Sequence, residues 1–136
     1  MHKVYPELKG LSPLVLAYIG DGIYELMVRN YLLHKGFVNL KLLHRETVAT
    51  VNAVSQSKLF NYLEEILTDE ERDVLRRGRN AKSGHSPKGT DVLQYRHATG
   101  LEAVFGYLYL KQEHTRLEEL FYHIMTRTEI MKEKEE

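Results

Sequence analysis

The sequence predicts an all-α helical bundle, and three observations carry that prediction. Apolar residues recur at spacings of three and four along most of the chain, the period of one helix face. Helix start signals recur too: Ser12-Pro13, Asn39, Thr68 with Glu71 three residues on, and Thr90-Asp91. No segment shows the two-residue alternation of a half-buried strand, and there is no internal repeat.

Residues 1–11 read as an extended lead-in ending at Leu11-Ser12-Pro13. Ser12 is a good N-cap and Pro13 a good first helical residue. The helix they open runs to about Lys35, with Gly36 as its stop and Leu16, Ile19, Ile23, Leu26 and Met27 as its core stripe. Asn39 opens a second helical segment through about Leu67, its stripe formed by Leu42, Leu43, Val48, Val51, Val54 and Leu59, with a break placed near Ser55-Gln56-Ser57. Thr68 and Glu71 form a capping box for a short helix ending near Gly78. Thr90-Asp91 caps another, with Val92, Tyr95, Ala98, Leu101, Val104, Phe105, Leu108 and Tyr109 as its apolar positions. A last helix covers roughly Thr115 to Met131, and the charged tail 132–136 is expected to fray.

The chain of 136 residues, 43% apolar and 28% charged, suits one soluble globular domain over residues 1–136. With no cysteine, neither a disulfide frame nor a thiolate metal site can form. No apolar run approaches the roughly 20 residues that span a bilayer, and the N-terminus lacks a signal-peptide core. A cytoplasmic location, with no membrane partner, is the default expectation. The 19 basic and 19 acidic residues balance, so any nucleic-acid contact must come from how charge is distributed.

The stretch of most chemical interest is Leu16–Leu26, an apolar helical run with Asp21 between Gly20 and Gly22. A glycine inside a helix costs about 1 kcal/mol relative to alanine, and an ionised carboxylate on an apolar face costs more unless it is paired or on a metal. Glycines let another backbone or a ligand approach closely. Asp21 is therefore a candidate metal ligand, or else the N-cap of a helix that restarts after a break. Tyr18, one turn before it, and Glu25, one turn after it, are candidate supports. Glu25 is equally readable as an ion-pair or surface residue. The stretch Ala98–Leu108 repeats the pattern, with Glu102 inside a strongly apolar run. If the two helices pack together, their acids form one site suited to a hard, oxygen-preferring Mg²⁺ or Mn²⁺. The alternative for Glu102 is the solvent side of an amphipathic helix.

Between Arg76 and Thr90 the chain has five basic residues, no acidic one, three glycines and a proline. That composition reads as a mobile basic loop, its flexible part over 79–90. Arg76, Arg77, Arg79, Lys82 and Lys88 are candidates to neutralise phosphates, with Asn80, Ser83, His85 and Ser86 as hydrogen-bonding partners and Arg96 as a supplement. The alternative is a solvated loop whose charge balances acidic helices. His44, His97 and His123 read as surface or boundary residues, and Tyr18, Tyr24 and Tyr107 as core rather than base-stacking platforms. The parts of nucleotide hydrolysis and of serine chemistry, a Walker loop and a Gly-x-Ser-x-Gly elbow, are missing.

Tyr18-Ile19-Gly20-Asp21-Gly22-Ile23 resembles the Phe-Leu-Gly-Asp-Ala-type signature of the ribonuclease III catalytic domain. Leu101 to Leu110 resembles that family's second motif, Glu-Ala-Leu-Ile-Gly-Ala-Ile-Tyr-Leu. The lead-in Tyr95-Arg96-His97-Ala98-Thr99-Gly100, and the little room left for a double-stranded-RNA-binding domain, are similar to the Mini-ribonuclease III branch. The resemblance implies a dimeric ribonuclease III-like fold in which Asp21 and Glu102 are catalytic and hold Mg²⁺, Mn²⁺ being a substitute. It implies a homodimer that cuts double-stranded RNA, one strand per subunit, and matures the precursor of large-subunit ribosomal RNA. Ala17 and Thr99 stand where the larger enzymes carry a glutamate and an aspartate, so waters or RNA phosphates must fill more of the metal's shell. Those two absences also motivate a contrasting expectation, a non-catalytic RNA-binding module with the same fold.

Overall fold

The computed structural model describes residues 8–82 and 91–135. These form a short 3-10 turn, Leu8–Gly10, and seven helices: α1 Pro13–His34, α2 Leu40–Thr50, α3 Ala53–Ser57, α4 Phe60–Ile66, α5 Asp69–Asn80, α6 Val92–Leu110 and α7 His114–Glu135. The all-α prediction holds. The described part of the lead-in, residues 8–10, is a 3-10 turn rather than an extended strand. No helix among the described residues is long and apolar enough to cross a membrane.

Local chemistry sets the helix ends. Ser12 accepts from the Leu14 N–H at 3.2 Å with Pro13 behind it, Asn39 caps α2, and Asp91 caps α6. At the end of α1, Phe37 N–H reaches the Leu32 carbonyl and Gly36 N–H the Leu33 carbonyl, with Gly36 at φ +99°. This is a Schellman stop, which favours glycine at the left-handed position. The same pair of bonds closes α6, but there the left-handed residue is Gln112, at φ 63°. The Thr68–Glu71 capping box forms in full. Glu71 is buried and also takes two hydrogen bonds from Arg116 of α7, at 2.8 and 2.9 Å. Burial alone would raise the Glu71 pKa, but the Arg116 and Thr68 hydrogen bonds outweigh it and hold the carboxyl below its ordinary value.

Helix α6 is the axis of the domain. From Ala98 to Leu108 every residue except Glu102 is buried, which is why its apolar positions run all round rather than along one stripe. Helices α1, α3 and α5 pack around it. The core line of α1 is Leu16, Gly20, Tyr24, Val28 and Leu32, each four residues after the last. The predicted stripe was rotated: of its members only Leu16 is buried, while Ile19, Ile23 and Met27 are half-buried and Leu26 is exposed. Because α1 is apolar on two faces, spacing alone cannot say which face meets the core.

Three further expectations change. The second helical segment breaks twice, at residues 58–59 just after Ser57, next to the expected place, and earlier at 51–52, and Val48 and Val54 are exposed while Thr47 and Thr50 are buried. Each threonine satisfies its hydroxyl on the carbonyl four residues back, at 2.8 and 3.0 Å. Helix α5 runs on to Asn80, so Arg76, Arg77, Arg79 and Asn80 belong to a helix rather than to a loop. Of the tail, residues 132–135 continue α7, and Lys58 pairs with Glu135 at 2.8 Å. Ser83, His85, Ser86 and Lys88, with the rest of the predicted loop over 83–90, lie outside the described residues.

Candidate active site

Two glycines bring the two acid-bearing helices together. A Cβ on Gly20 would lie 1.6 Å from the Glu102 carbonyl oxygen and 2.7 Å from the Gly106 nitrogen. A Cβ on Gly106 would lie 1.9 Å from the Leu16 carbonyl oxygen. Helices α1 and α6 therefore touch backbone to backbone at this crossing, which only hydrogen in place of a side chain permits. A second close approach, at Gly78 and Gly100, sets α5 against the other side of α6.

The crossing places Asp21 beside Glu102. Asp21, one residue past the contact glycine, is exposed, and Glu102 is largely shielded. Both acids sit inside apolar runs of sequence, yet one is open and the other shielded: α1 buries Gly20 and turns the next residue outward. Burial, and then the charge of Asp21 and a hydrogen bond with it, push the Glu102 carboxyl up to about 8. The Gln56 amide, 3.4 Å from Glu102 Oε2, acts in the opposite direction. The charge of Asp21 thus works against ionisation of Glu102, a repulsion that a divalent cation between the two would relieve, and the donor set is hard oxygen throughout. Tyr24, buried in the core and raised in pKa by burial and by Glu102, bounds the pair from within.

Other predicted residues fall differently. Glu25 forms an ion pair with Arg29 at 2.7 Å rather than joining Asp21. Tyr18, expected in the core, is 80% exposed, whereas Tyr24 and Tyr107 are buried as expected. Ala17 is buried in the core. Thr99 is buried too, and its hydroxyl donates to the Tyr95 carbonyl at 2.8 Å. Neither position supplies a further acid, and among the described residues no cluster of three or more His, Asp or Glu side chains could hold an ion.

The basic candidates divide by what they touch. Arg76 pairs with Glu64 at 2.8 Å and Arg77 with Asp73 at 4.0 Å. Arg79 bonds Asn80 at 3.0 Å and lies over the Phe60 ring, which stacks on His97. Lys82 and Arg96 are exposed and make no ion pair among the described residues. The His97 ring nitrogen Nδ1 lies 2.9 Å from the Ser57 hydroxyl, and burial, then the nearby Arg79 charge, hold its pKa below the ordinary histidine value. Gln56, Ser57 and Phe60 had drawn no functional reading from the sequence. They stand in a segment that reads as a break, where nothing local marks a buried amide.

Known proteins with this arrangement are informative. A family model described as Ribonuclease III domain matches residues 14–113, which contain both acids. The Mini-ribonuclease 3 of a Thermoanaerobacter species is 46% identical over 110 residues, covering 81% of this chain and 78% of the relative. That of Staphylococcus aureus is 45% identical over 121 residues, covering 88% and 90%. A solved crystal structure of a protein from Fusobacterium nucleatum superposes with a TM-score of 0.78 at 30% identity, over 90% of this chain and 98% of that one.

Proposed function

This chain belongs to the ribonuclease III family and is an endoribonuclease of double-stranded RNA, and from that premise we propose that Asp21 and Glu102 are its catalytic pair, that they hold Mg²⁺ or Mn²⁺, and that its substrate is the precursor of large-subunit ribosomal RNA. The observation that carries the reading is the meeting of Asp21 with a Glu102 pushed up to about 8. A cation is the natural partner of two acids that otherwise repel. When bound, such an ion supplies polarisation of the scissile phosphate and of a nearby water.

The chain's own residues do the rest. Asp21, on the open side, faces the space where an RNA backbone must lie. Glu102, largely shielded from solvent, supplies the second carboxylate. With two acids rather than four, RNA phosphate and water complete the shell, so tight ion binding belongs to the RNA complex. Lys82, Arg79 and Arg96 grip the duplex backbone, whose shape is read through phosphates and 2′-hydroxyls. The 83–90 segment adds Ser83, His85 and Lys88 to that grip.

The active unit in this reading is a homodimer built on the outer face of α1. Val15, Tyr18, Leu26 and Leu33 are 46, 80, 63 and 51% exposed, with Gly22 between Tyr18 and Leu26 and the 81% exposed Leu40 of α2 nearby. From Val15 to Leu26 this is a stripe at spacings of three and four, and Leu33 extends it one heptad on, past the exposed Arg29 and Asn30. A helix apolar on two faces belongs buried on both, and a second copy supplies one site for each strand of the duplex.

Asp21→Asn tests the assignment. Cleavage of a long RNA duplex in Mg²⁺ is expected to vanish, with fold and duplex affinity, measured in EDTA, retained. Wild-type cleavage by this variant would remove Asp21 from the chemistry.

A further inference from the structure

Gln56 is among the most buried polar side chains described, 2% exposed, and the proposed reaction assigns it no part. It sits on α3, a helix of only five residues, Ala53–Ser57. So short a helix has little stability of its own, yet this one is tied down. Asn52 accepts from the Ser55 N–H at 2.8 Å and donates to the Val48 and Ala49 carbonyls at 2.9 and 3.1 Å. The Ser55 hydroxyl donates to the Ala49 carbonyl at 3.2 Å. The turn is thereby locked to the end of α2 and packed on α6. Its Ser57 hydroxyl meets His97 of α6 at 2.9 Å, and its one fully buried side chain, Gln56, reaches Glu102 Oε2 at 3.4 Å.

We propose that Gln56 is a positioning residue for RNA cleavage, its side-chain amide holding the Glu102 carboxylate turned toward Asp21. A carboxylate only accepts hydrogen bonds, so the amide nitrogen is the atom that faces it. A neutral donor suits the task better than lysine or arginine. A cationic donor would satisfy the carboxylate's charge and compete with the divalent ion, whereas an amide fixes the carboxylate's orientation and leaves its charge for the ion. An apolar residue would leave a shielded oxygen without a donor and free to rotate away. Outer partners that orient metal-binding side chains in this way typically contribute 10- to 100-fold in metal affinity or activity.

The inference rests on Glu102 being a ligand, and its test separates the two ideas. Gln56→Met keeps the length and volume of the side chain and removes the donor. We expect kcat on duplex RNA to fall about 10- to 100-fold with KM for RNA unchanged. Mn²⁺ affinity of the protein bound to a non-cleavable RNA duplex, measured by calorimetry, should weaken by a similar factor. In a Glu102→Gln background, Gln56→Met should produce no further loss of Mn²⁺ affinity, because its effect runs through that carboxylate. A folded Gln56→Met protein with wild-type kcat and wild-type Mn²⁺ affinity overturns the proposal. Should that variant fail to fold, the side-chain amide resonances of Gln56 in the wild-type protein decide instead. They are expected to shift on Mn²⁺-free titration with Mg²⁺ and on Glu102→Gln, and resonances that stay fixed in both overturn it. Wild-type protein that cuts no duplex in Mg²⁺ would instead undo the functional reading itself.

Discussion

Gly20→Ala is the sharpest perturbation of the site, because it adds one methyl group at the helix crossing and alters no acid. The new Cβ would sit 1.6 Å from the Glu102 carbonyl oxygen, where real contacts essentially never fall below 3.0 Å. The helices must therefore part by about 1.4 Å, the difference between those two distances. The obstructing atoms are backbone, so no rotamer change relieves the clash. Overpacking costs about 1–3 kcal/mol where side chains can adjust, and more where they cannot. Alanine returns about 1 kcal/mol through helix propensity. A net loss of about 3 kcal/mol, or a fall of roughly 10 °C in Tm, follows for a domain of this size. Displacement of Asp21 from Glu102 by more than 1 Å should cost about 100-fold in kcat, the order seen for misplaced catalytic groups. Thermal unfolding by circular dichroism and cleavage of an RNA duplex in Mg²⁺ read the two effects. A Gly20→Ala protein with wild-type Tm and wild-type kcat would mean that α1 and α6 do not meet at this glycine, and the juxtaposition of the acids would go with it.

Glu102→Gln tests the electrostatics of the pair. The folded carboxyl titrates near 8, above its ordinary 4.5. The folded state therefore binds more protons, and metal-free wild-type protein loses stability as pH rises between those values. At pH 7 the cost is of order 3 kcal/mol at about 1.36 kcal/mol per unit. In EDTA, Glu102→Gln should unfold at higher temperature than wild type at pH 8 and at nearly the same temperature at pH 4.5; an equal difference at both refutes the shift. Leu26→Asp, on the exposed stripe of α1, should convert a dimer to monomer by light scattering with helicity retained, and an unchanged mass would rule that face out.

The fold class and both acids were legible in the sequence because they rest on local signals. Helix caps act within three or four residues, and Ser12, Asn39, Thr68 and Asp91 all cap helices as read. An acid inside an apolar run is conspicuous wherever it lies. What the sequence could not supply was decided by contacts between elements. Gly20 and Gly22 look alike beside Asp21, yet a Cβ on Gly20 strikes α6 while one on Gly22 meets nothing within 4 Å. Tyr18 and Tyr24 both read as core, and only the face that α1 turns toward α6 makes one exposed and the other buried. Gln56 was invisible for the same reason: a glutamine in a polar stretch gains meaning only from the carboxylate across the interface.

The same distinction explains why α1 resisted a single-stripe reading. A helix that packs on one neighbour carries one apolar stripe, and its period names the face. Helix α1 carries two. One, through Leu16, Gly20, Tyr24, Val28 and Leu32, is spent on α6 within the domain. The other, through Val15, Tyr18, Leu26 and Leu33, is spent on nothing within it. Asp21 lies at the seam between the two faces, one residue past the first stripe's glycine and one before the second's. A carboxylate at that seam is held firmly by the core packing of its own helix, yet stays open to solvent. If a second copy covers the outer stripe, each Asp21 also comes to lie beside the dimer boundary. The spacing of the two sites is then set by the same helix that sets each site's geometry, and a duplex can meet both at once.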